Sequence, residues 1–382
     1  MSARDARIGP ARDRSTPGKD SADASRTRSG RADDGAPVLP SARRSPRSRD
    51  TGGADVGRAS DGLVVGTVPL PARVAGVLLA VAGLVGVLAP FPTYLVVGGR
   101  HLAQASGPGS ALVALLVPLL HIAVGLWLAR GAVPKFGLAY AGVAASLAVG
   151  QLLIELYRGS SATSRPGTEV IAGERVLTTS VSVGAGWILG VTALGLVVIA
   201  GVCAVLAWGR TVMEDRGSLD PARAGLAGAA VLLGVATVLS LALPAADVPE
   251  QLVTDPTTGM QTVVTREGPQ ALLERPGLAL LGGLLLAGAI VLCSVVAPSL
   301  RPRLATVGGL LALSGAVLAA GLSGLRDAVI SPDLDWTLPG AALLLAGLGF
   351  AVLTALAWRL RRNAPLPGGA PTRERVPGPG DS

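Results

Sequence analysis

The chain has 382 residues, half of them hydrophobic, and 33 Lys and Arg outnumber 25 Asp and Glu for a formal net charge of +8. The basic excess sits in the first 72 residues and beside the ends of long apolar runs. That placement reads as membrane topology, and it excludes the basic folded surface that a nucleic-acid partner would need.

The only two cysteines, Cys203 and Cys293, both fall inside apolar runs. They make no disulfide framework and no zinc spacing, and they fit small buried hydrophobes. No cofactor or metal is expected.

Residues 1–71 contain no Phe, Trp or Tyr and are rich in Arg, Asp, Ser, Gly and Pro. Such a segment cannot bury enough apolar surface to offset its ordering entropy, so a disordered cytoplasmic tail is expected. The first apolar run starts some 70 residues in, which argues against a signal peptide. Arg43-Arg44 has no apolar stretch close behind it, as twin-arginine export would require. The cluster Arg43, Arg44, Arg47 and Arg49 has two readings, contact with anionic lipid, diluted by Asp50 and Asp55, or a solvated tail that helps hold the N-terminus inside.

From Arg73 onward, apolar runs of bilayer-crossing length recur, and they are apolar all round rather than along one stripe. Eight spans are predicted at residues 74–97, 111–129, 136–156, 186–208, 224–243, 278–297, 304–325 and 339–358. Pro90 and Pro92 break the outer end of the first.

With the tail inside, the short inner loops hold Arg130 and Lys135, then Arg210, Arg216 and Arg223, then Arg301 and Arg303. Arg359, Arg361 and Arg362 close the last span. The longer outer loops mix their arginines with glutamates, such as Glu169, Glu174, Glu250 and Glu267. Both termini are therefore expected in the cytoplasm. Trp127, Trp208 and Trp358 at inner ends, and Trp187 and Trp336 at outer ends, suit headgroup anchoring.

The halves echo each other. Pro71-Ala72-Arg73 returns as Pro221-Ala222-Arg223, and Leu206-Ala207-Trp208 as Leu356-Ala357-Trp358, each 150 positions later. Trp187 and Trp336 are 149 apart. Leu138-Ala139 with Gly142 returns as Leu304-Ala305 with Gly308, 166 apart, which requires loops of unequal length. The expected fold is all-α integral membrane, eight transmembrane helices as a 4+4 parallel duplication, with small β-hairpins in the extracellular loops. Its units are residues 72–210 and 221–362, followed by a disordered cytoplasmic tail at 363–382. An even number of spans per unit gives a pseudo-two-fold axis along the membrane normal. Small residues such as Gly83, Gly86, Gly282 and Gly283 permit close helix approach with or without duplication.

Two outer segments, 158–185 and 247–276, carry β-branched runs around turn residues, for example Gln251–Thr254 and residues 260–265 flanking Asp255-Pro256 and Gly259. A lone hairpin is marginal in water, so the two segments are expected to join in one small sheet, either shielding the helix ends or meeting a protein partner.

Ionisable groups at bilayer depth are scarce and are default functional candidates. His121 lies near the middle of the second span, Gln151 in the outer third of the third, and Glu155 one turn further on the same face. The counterparts of Gln151 and Glu155 in the seventh span are Val317 and Gly321. The three residues form a candidate polar track for a proton or a small polar ligand. The competing reading hydrates Glu155 at the interface beside Arg158 and bonds a neutral His121 to a helix carbonyl freed by Pro118. No P-loop, HExxH or GxSxG with partners occurs, and two histidines cannot build a multi-histidine metal site, so an enzyme is not expected.

In its arginine-rich tail, its Ala/Gly/Leu/Val spans and its Trp-flanked closing helix at 336–358, the chain resembles the uncharacterised multi-pass membrane proteins of high-GC actinobacteria. The resemblance implies a plasma-membrane location and carries no site residue. Two functions remain open: a non-enzymatic envelope structural or interaction protein using its outer loops, and a permease-like component with a site at the pseudo-two-fold interface.

Overall fold

The computed structural model describes residues 63–97, 100–105, 107–160, 170–171, 174–175, 181–215, 220–247, 251–254, 261–264, 271–272, 277–330 and 335–362. The expected tails, apart from residues 63–71, and the Arg43–Arg49 cluster lie outside these residues, as do parts of the two long loop segments.

In chain order the elements are β1 (Leu63–Val65), α1 (Leu70–Leu88), β2 (Leu95–Val97), β3 (Arg100–Leu102), α2 (Pro108–Ala129) and α3 (Pro134–Ser160). Next come β4 (Val170–Ile171), β5 (Glu174–Arg175), β6 (Val181–Val183), α4 (Ala185–Trp208), β7 (Met213–Asp215) and α5 (Asp220–Leu241). The chain continues through β8 (Ala246–Asp247), β9 (Gln251–Thr254), β10 (Gln261–Val264), α6 (Leu278–Ser299), α7 (Arg303–Ile330), β11 (Asp335–Trp336) and α8 (Leu338–Arg362). Among the described residues, eight helices are long and apolar enough to cross a membrane, which marks a multi-pass membrane protein. Helix is what such sequences must form there, because lipid offers no partner to an unbonded backbone N–H or C=O.

The helix ends differ from the expected ones in instructive ways. α1 stops at Leu88, not at 97, because Pro90 and Pro92 follow and the chain turns into β2. α7 continues to Ile330, five residues past the expected end, which puts Arg326 and Asp327 on the helix.

We call the side where α1, α3, α5 and α7 begin the near face, and the side where they end the far face. At the near face β1 pairs antiparallel with β7, and Gly66 N–H donates to the Val212 carbonyl at 3.1 Å. At the far face β2 is flanked by β3 and β6. Gly184 N–H donates to the Tyr94 carbonyl at 2.9 Å and Gly186 N–H to the Thr93 carbonyl at 3.0 Å, fastening the end of α1 to the start of α4. β8 pairs with β11, and the Thr337 hydroxyl donates to the Pro244 carbonyl at 2.6 Å, fastening α5 to α8 in the same way. β9 and β10 form an antiparallel pair, and so do β4 and β5. The joint sheet expected of the two loop segments is not found among the described residues: β6 adds to β2, and β9 and β10 pair only with each other.

α1 packs along α2 and α4, α3 along α4, and α7 along α8, while α5 meets α6 and α8. α3 also runs against α6 and α7, and α2 reaches α7. α7 and α3 are the central, most buried helices, whereas α2 is peripheral. Close approach depends on glycine at two crossings. A Cβ on Gly150 of α3 would lie 2.6 Å from the Gly282 carbonyl oxygen of α6, and one on Gly83 of α1 would lie 2.6 Å from the Pro118 carbonyl oxygen of α2.

The core holds Tyr140, Phe350, Leu79, Leu310 and Leu313, all nearly inaccessible. Leu112, Leu232, Val205, Leu206 and Leu345 stand exposed on the helix exteriors, where a bilayer would cover them. Several buried hydroxyls are satisfied locally. Thr237 and Ser294 donate to carbonyls one turn back, Leu233 and Ile290, at 2.7 Å each. These groups are explained without any ligand.

Candidate functional site

The site is built from the far ends of α1, α3 and α7 and the middle of α2. Glu155 lies near the end of α3, where three groups converge on it. The Tyr94 hydroxyl, held just before β2, donates to Glu155 Oε2. Arg158, on the same side of α3 one turn later, donates from Nη1 to Glu155 Oε1 at 2.9 Å. Trp187, at the start of α4, donates its indole N–H to the Glu155 main-chain carbonyl at 2.9 Å. Trp187 is thus a strut between α4 and α3 as well as an interfacial ring. Burial, and then the Glu155 carboxylate beside it, hold the Tyr94 phenol far above its ordinary range.

Beneath this cluster lies a cavity of about 480 Å³ whose wall includes Tyr94, His121, Gln151, Glu155, Arg158 and Arg326. A second cavity of about 270 Å³ adjoins it and shares His121, Gln151, Ser323, Val117, Leu194 and Val197. Its further wall contains Tyr140, Ala144, Leu147 and Ala316. The three candidates His121, Gln151 and Glu155 therefore all line the larger cavity. Along α3 the walls of the two adjoining cavities together run from Arg158 to Tyr140. At 1.5 Å per residue that is about 27 Å, close to the roughly 30 Å of a bilayer's hydrocarbon core.

His121 is only 9% exposed, and its ring stands edge-on to Tyr140 with centroids 5.7 Å apart. Among the described residues neither the imidazole nitrogens nor the Tyr140 hydroxyl have a hydrogen-bonding protein partner, and both residues line the space. The carbonyl bond anticipated for His121 is not made; the ring faces the cavity instead. Pro118, one turn before it, lines the same wall.

The floor is packed. Leu128 at the end of α2 is fully buried, and a Cβ on Gly137 of α3 would lie 2.7 Å from the Leu128 Cβ. Trp127 and Phe136 stack obliquely beside it at 6.3 Å. Lys135 sits 5.7 Å from the Trp208 ring, fixing the near-face end of α3 against α4.

Of the polar wall residues, Tyr94, Gln104, Ser323 and Arg326 are not singled out by the sequence. Arg326 donates from Nε and Nη2 to Asp327 Oδ1 at 2.9 and 2.6 Å. The signal for Arg326 is present in the sequence, an arginine and an aspartate just past an apolar run, but it lies one residue beyond the predicted end of the seventh span.

No family model, curated protein or solved structure matches the chain.

Among the described residues no group of three or more His, Cys, Asp or Glu could hold a metal ion. The arrangement offers neutral hydrogen-bonding groups at depth and ion-paired arginines at the mouth. That chemistry suits reversible binding.

Proposed function

We propose that the chain is a permease-like membrane protein that binds a small molecule in a cavity open toward the far face and closed at the near face. The observation carrying this reading is a pair of adjoining cavities, one reaching Arg158 and the other Tyr140, with the nearly buried His121 in the wall of both. A polar group kept at bilayer depth without a protein partner is costly unless water or a ligand meets it. The placement of Arg130, Arg210 and Arg301 at the near face supports a cytoplasmic near face, so the mouth would open outside the plasma membrane. Transport rather than catalysis is the activity proposed.

The same reading takes the eight helices as two four-helix repeats related by a pseudo-two-fold axis. Packing supports it: α1–α2, α3–α4 and α1–α4 have α5–α6, α7–α8 and α5–α8 as counterparts. Exchanging the halves turns α3–α6 into α2–α7 and leaves α3–α7 unchanged. The β2–β6 and β8–β11 pairs stand in the same relation. The repeats would then differ in their interiors. Ala193 of α4, in the wall of the larger cavity, has Leu343 as its counterpart 150 positions on, and both are buried. A larger side chain fills the second repeat where the first keeps its cavity.

A second reading, an envelope interaction protein, draws on the far-face strands: β2, β3 and β6 form a small sheet and β9–β10 a pair. Segments 158–185 and 247–276 would then meet a protein partner, with the bilayer as the other contact.

The test is access by water. Gln151→Cys and Ser323→Cys, in a background with Cys203 and Cys293 changed to alanine, should react with a membrane-impermeant thiol reagent added from the far side and not from the near side. Labelling of a rim control, Gln104→Cys, with no labelling at either deep position would refute the cavity as a binding space.

A further inference from the structure

We propose that the ligand of this cavity is an anionic amphiphile, with a carboxylate- or phosphate-type head at the mouth and an apolar body below it. The inference rests on the permease-like reading and specifies its ligand.

The rim carries two guanidinium groups, Arg158 and Arg326, and one carboxylate, Glu155. That carboxylate has little to offer a cation, because one oxygen already accepts from Tyr94 and the other from Arg158. Asp327 is not part of the wall. Arg326 is different. It gives Nε and one Nη2 proton to a single Asp327 oxygen. A guanidinium has five N–H donors in a planar fork, so three remain, and a planar or tetrahedral oxyanion fits that fork two bonds at a time. Arg326 is half-buried, where a charge-assisted bond is screened less than on an open surface.

Below the rim the wall changes character. Val117, Ala144, Leu147, Leu194, Val197 and Ala316 are apolar. Gln151, Ser323 and His121 interrupt them as neutral hydrogen-bonding groups. No carboxylate lies deeper than Glu155 in the wall, so a cationic group at depth would go uncompensated. An apolar body carrying one or two hydrogen-bonding groups matches the lining. The larger cavity, about 480 Å³, is in the range that small-molecule sites occupy, and the adjoining one of about 270 Å³ falls just short of it.

Three probes with one tail and three head charges decide the class: decanoate, decanol and decylamine, bound to the full chain in nanodiscs. Decanoate should bind about tenfold tighter than either other probe, the worth of one charge-assisted bond. Arg326→Gln should erase most of that preference, Arg326→Lys should retain part of it, and Ala316→Phe should weaken all three probes. Acetate should fail to compete with decanoate. Equal binding of the three heads, preference for decylamine, an Arg326→Gln variant that keeps the preference, or competition by acetate would each overturn the proposal. Mass spectrometry of the organic extract separates two sources of the same chemistry. A co-extracted anionic lipid displaced by decanoate places the ligand in the membrane; decanoate binding without one places it in water. Should Gln151→Cys label from the far side while head charge has no effect, the ligand class falls and the cavity stands. Should Gln151→Cys stay unlabelled, the cavity itself falls.

Discussion

Replacing Glu155 with glutamine removes one negative charge and almost no volume from the point where α3, α4 and the β2 edge meet. Two interactions change. The Arg158 bond at 2.9 Å becomes a bond to a neutral amide, and the Tyr94 hydroxyl loses its charged acceptor. The Arg158 side chain is 40% exposed and Glu155 21%, so solvent screens the ion pair and its share is about 1 kcal/mol rather than the 3–5 of a fully buried pair. The Tyr94 bond is better sheltered, and exchanging a charged for a neutral acceptor there costs about 1 kcal/mol more. The Trp187 bond is unaffected, since it goes to the main-chain carbonyl. Glu155→Gln should therefore lose about 2 kcal/mol, and Glu155→Ala more, because the Tyr94 hydroxyl is then left without its acceptor. The measurement is thermal unfolding in a mild detergent, followed by intrinsic tryptophan fluorescence, to which Trp187 beside the site contributes. A cycle with Arg158→Gln should give a coupling of about 1 kcal/mol, outside the few tenths expected of independent sites. Strict additivity would refute the account of this cluster.

Other outcomes follow from the same geometry. The Tyr94 phenol is held above its ordinary value, so its contribution is complete below about pH 10 and is lost as pH rises through the folded-state value. Tyr94→Phe should accordingly show a shallower alkaline loss of stability in a pH series of melts. Gly150→Val would press side-chain atoms onto the Gly282 carbonyl and Leu286 N–H, already 2.6 and 2.7 Å from an added Cβ. It should cost about 1–3 kcal/mol or more as α3 and α6 separate, read as a lowered melting temperature. Arg303 is 4% exposed, and its Nε and Nη2 atoms have no hydrogen-bond partner among the described residues. Arg303→Met should raise stability by about 1–3 kcal/mol, the usual penalty of unbonded buried polar atoms.

The eight apolar helices could be read from run length alone, because a bilayer permits few alternatives to a helix once about 20 apolar residues stand in a row. Their ends were harder. Leu95–Val97 are as apolar as a helix interior, and only the prolines before them show that the chain has left α1 for a strand. Arg326 was lost to the site by the opposite error. α7 carries a charged pair on its last turns because the helix reaches past the apolar stretch, and a reading by hydropathy stops where the charges begin. His121, Gln151 and Glu155 stood out because polar groups are rare in these spans. Their meeting in one space depends on how α2, α3 and α7 pack, and hydropathy carries no record of that. The strand partners were equally hidden. β-branched runs mark Gln251–Thr254 and residues 260–265, which contain β9 and β10, but nothing local tells β6 to pair with β2 across more than eighty residues.

The central claim is that a hydrated space descends from the far face past Gln151 to His121 and Tyr140. A single-particle density map of the chain in a lipid nanodisc, at a resolution that reveals ordered water, tests it most directly. The account predicts water or ligand density in contact with His121, Gln151 and Arg326, above a dry floor formed by Leu128 and Phe136. A map in which α2 closes on α4 and apolar side chains cover His121 would contradict it.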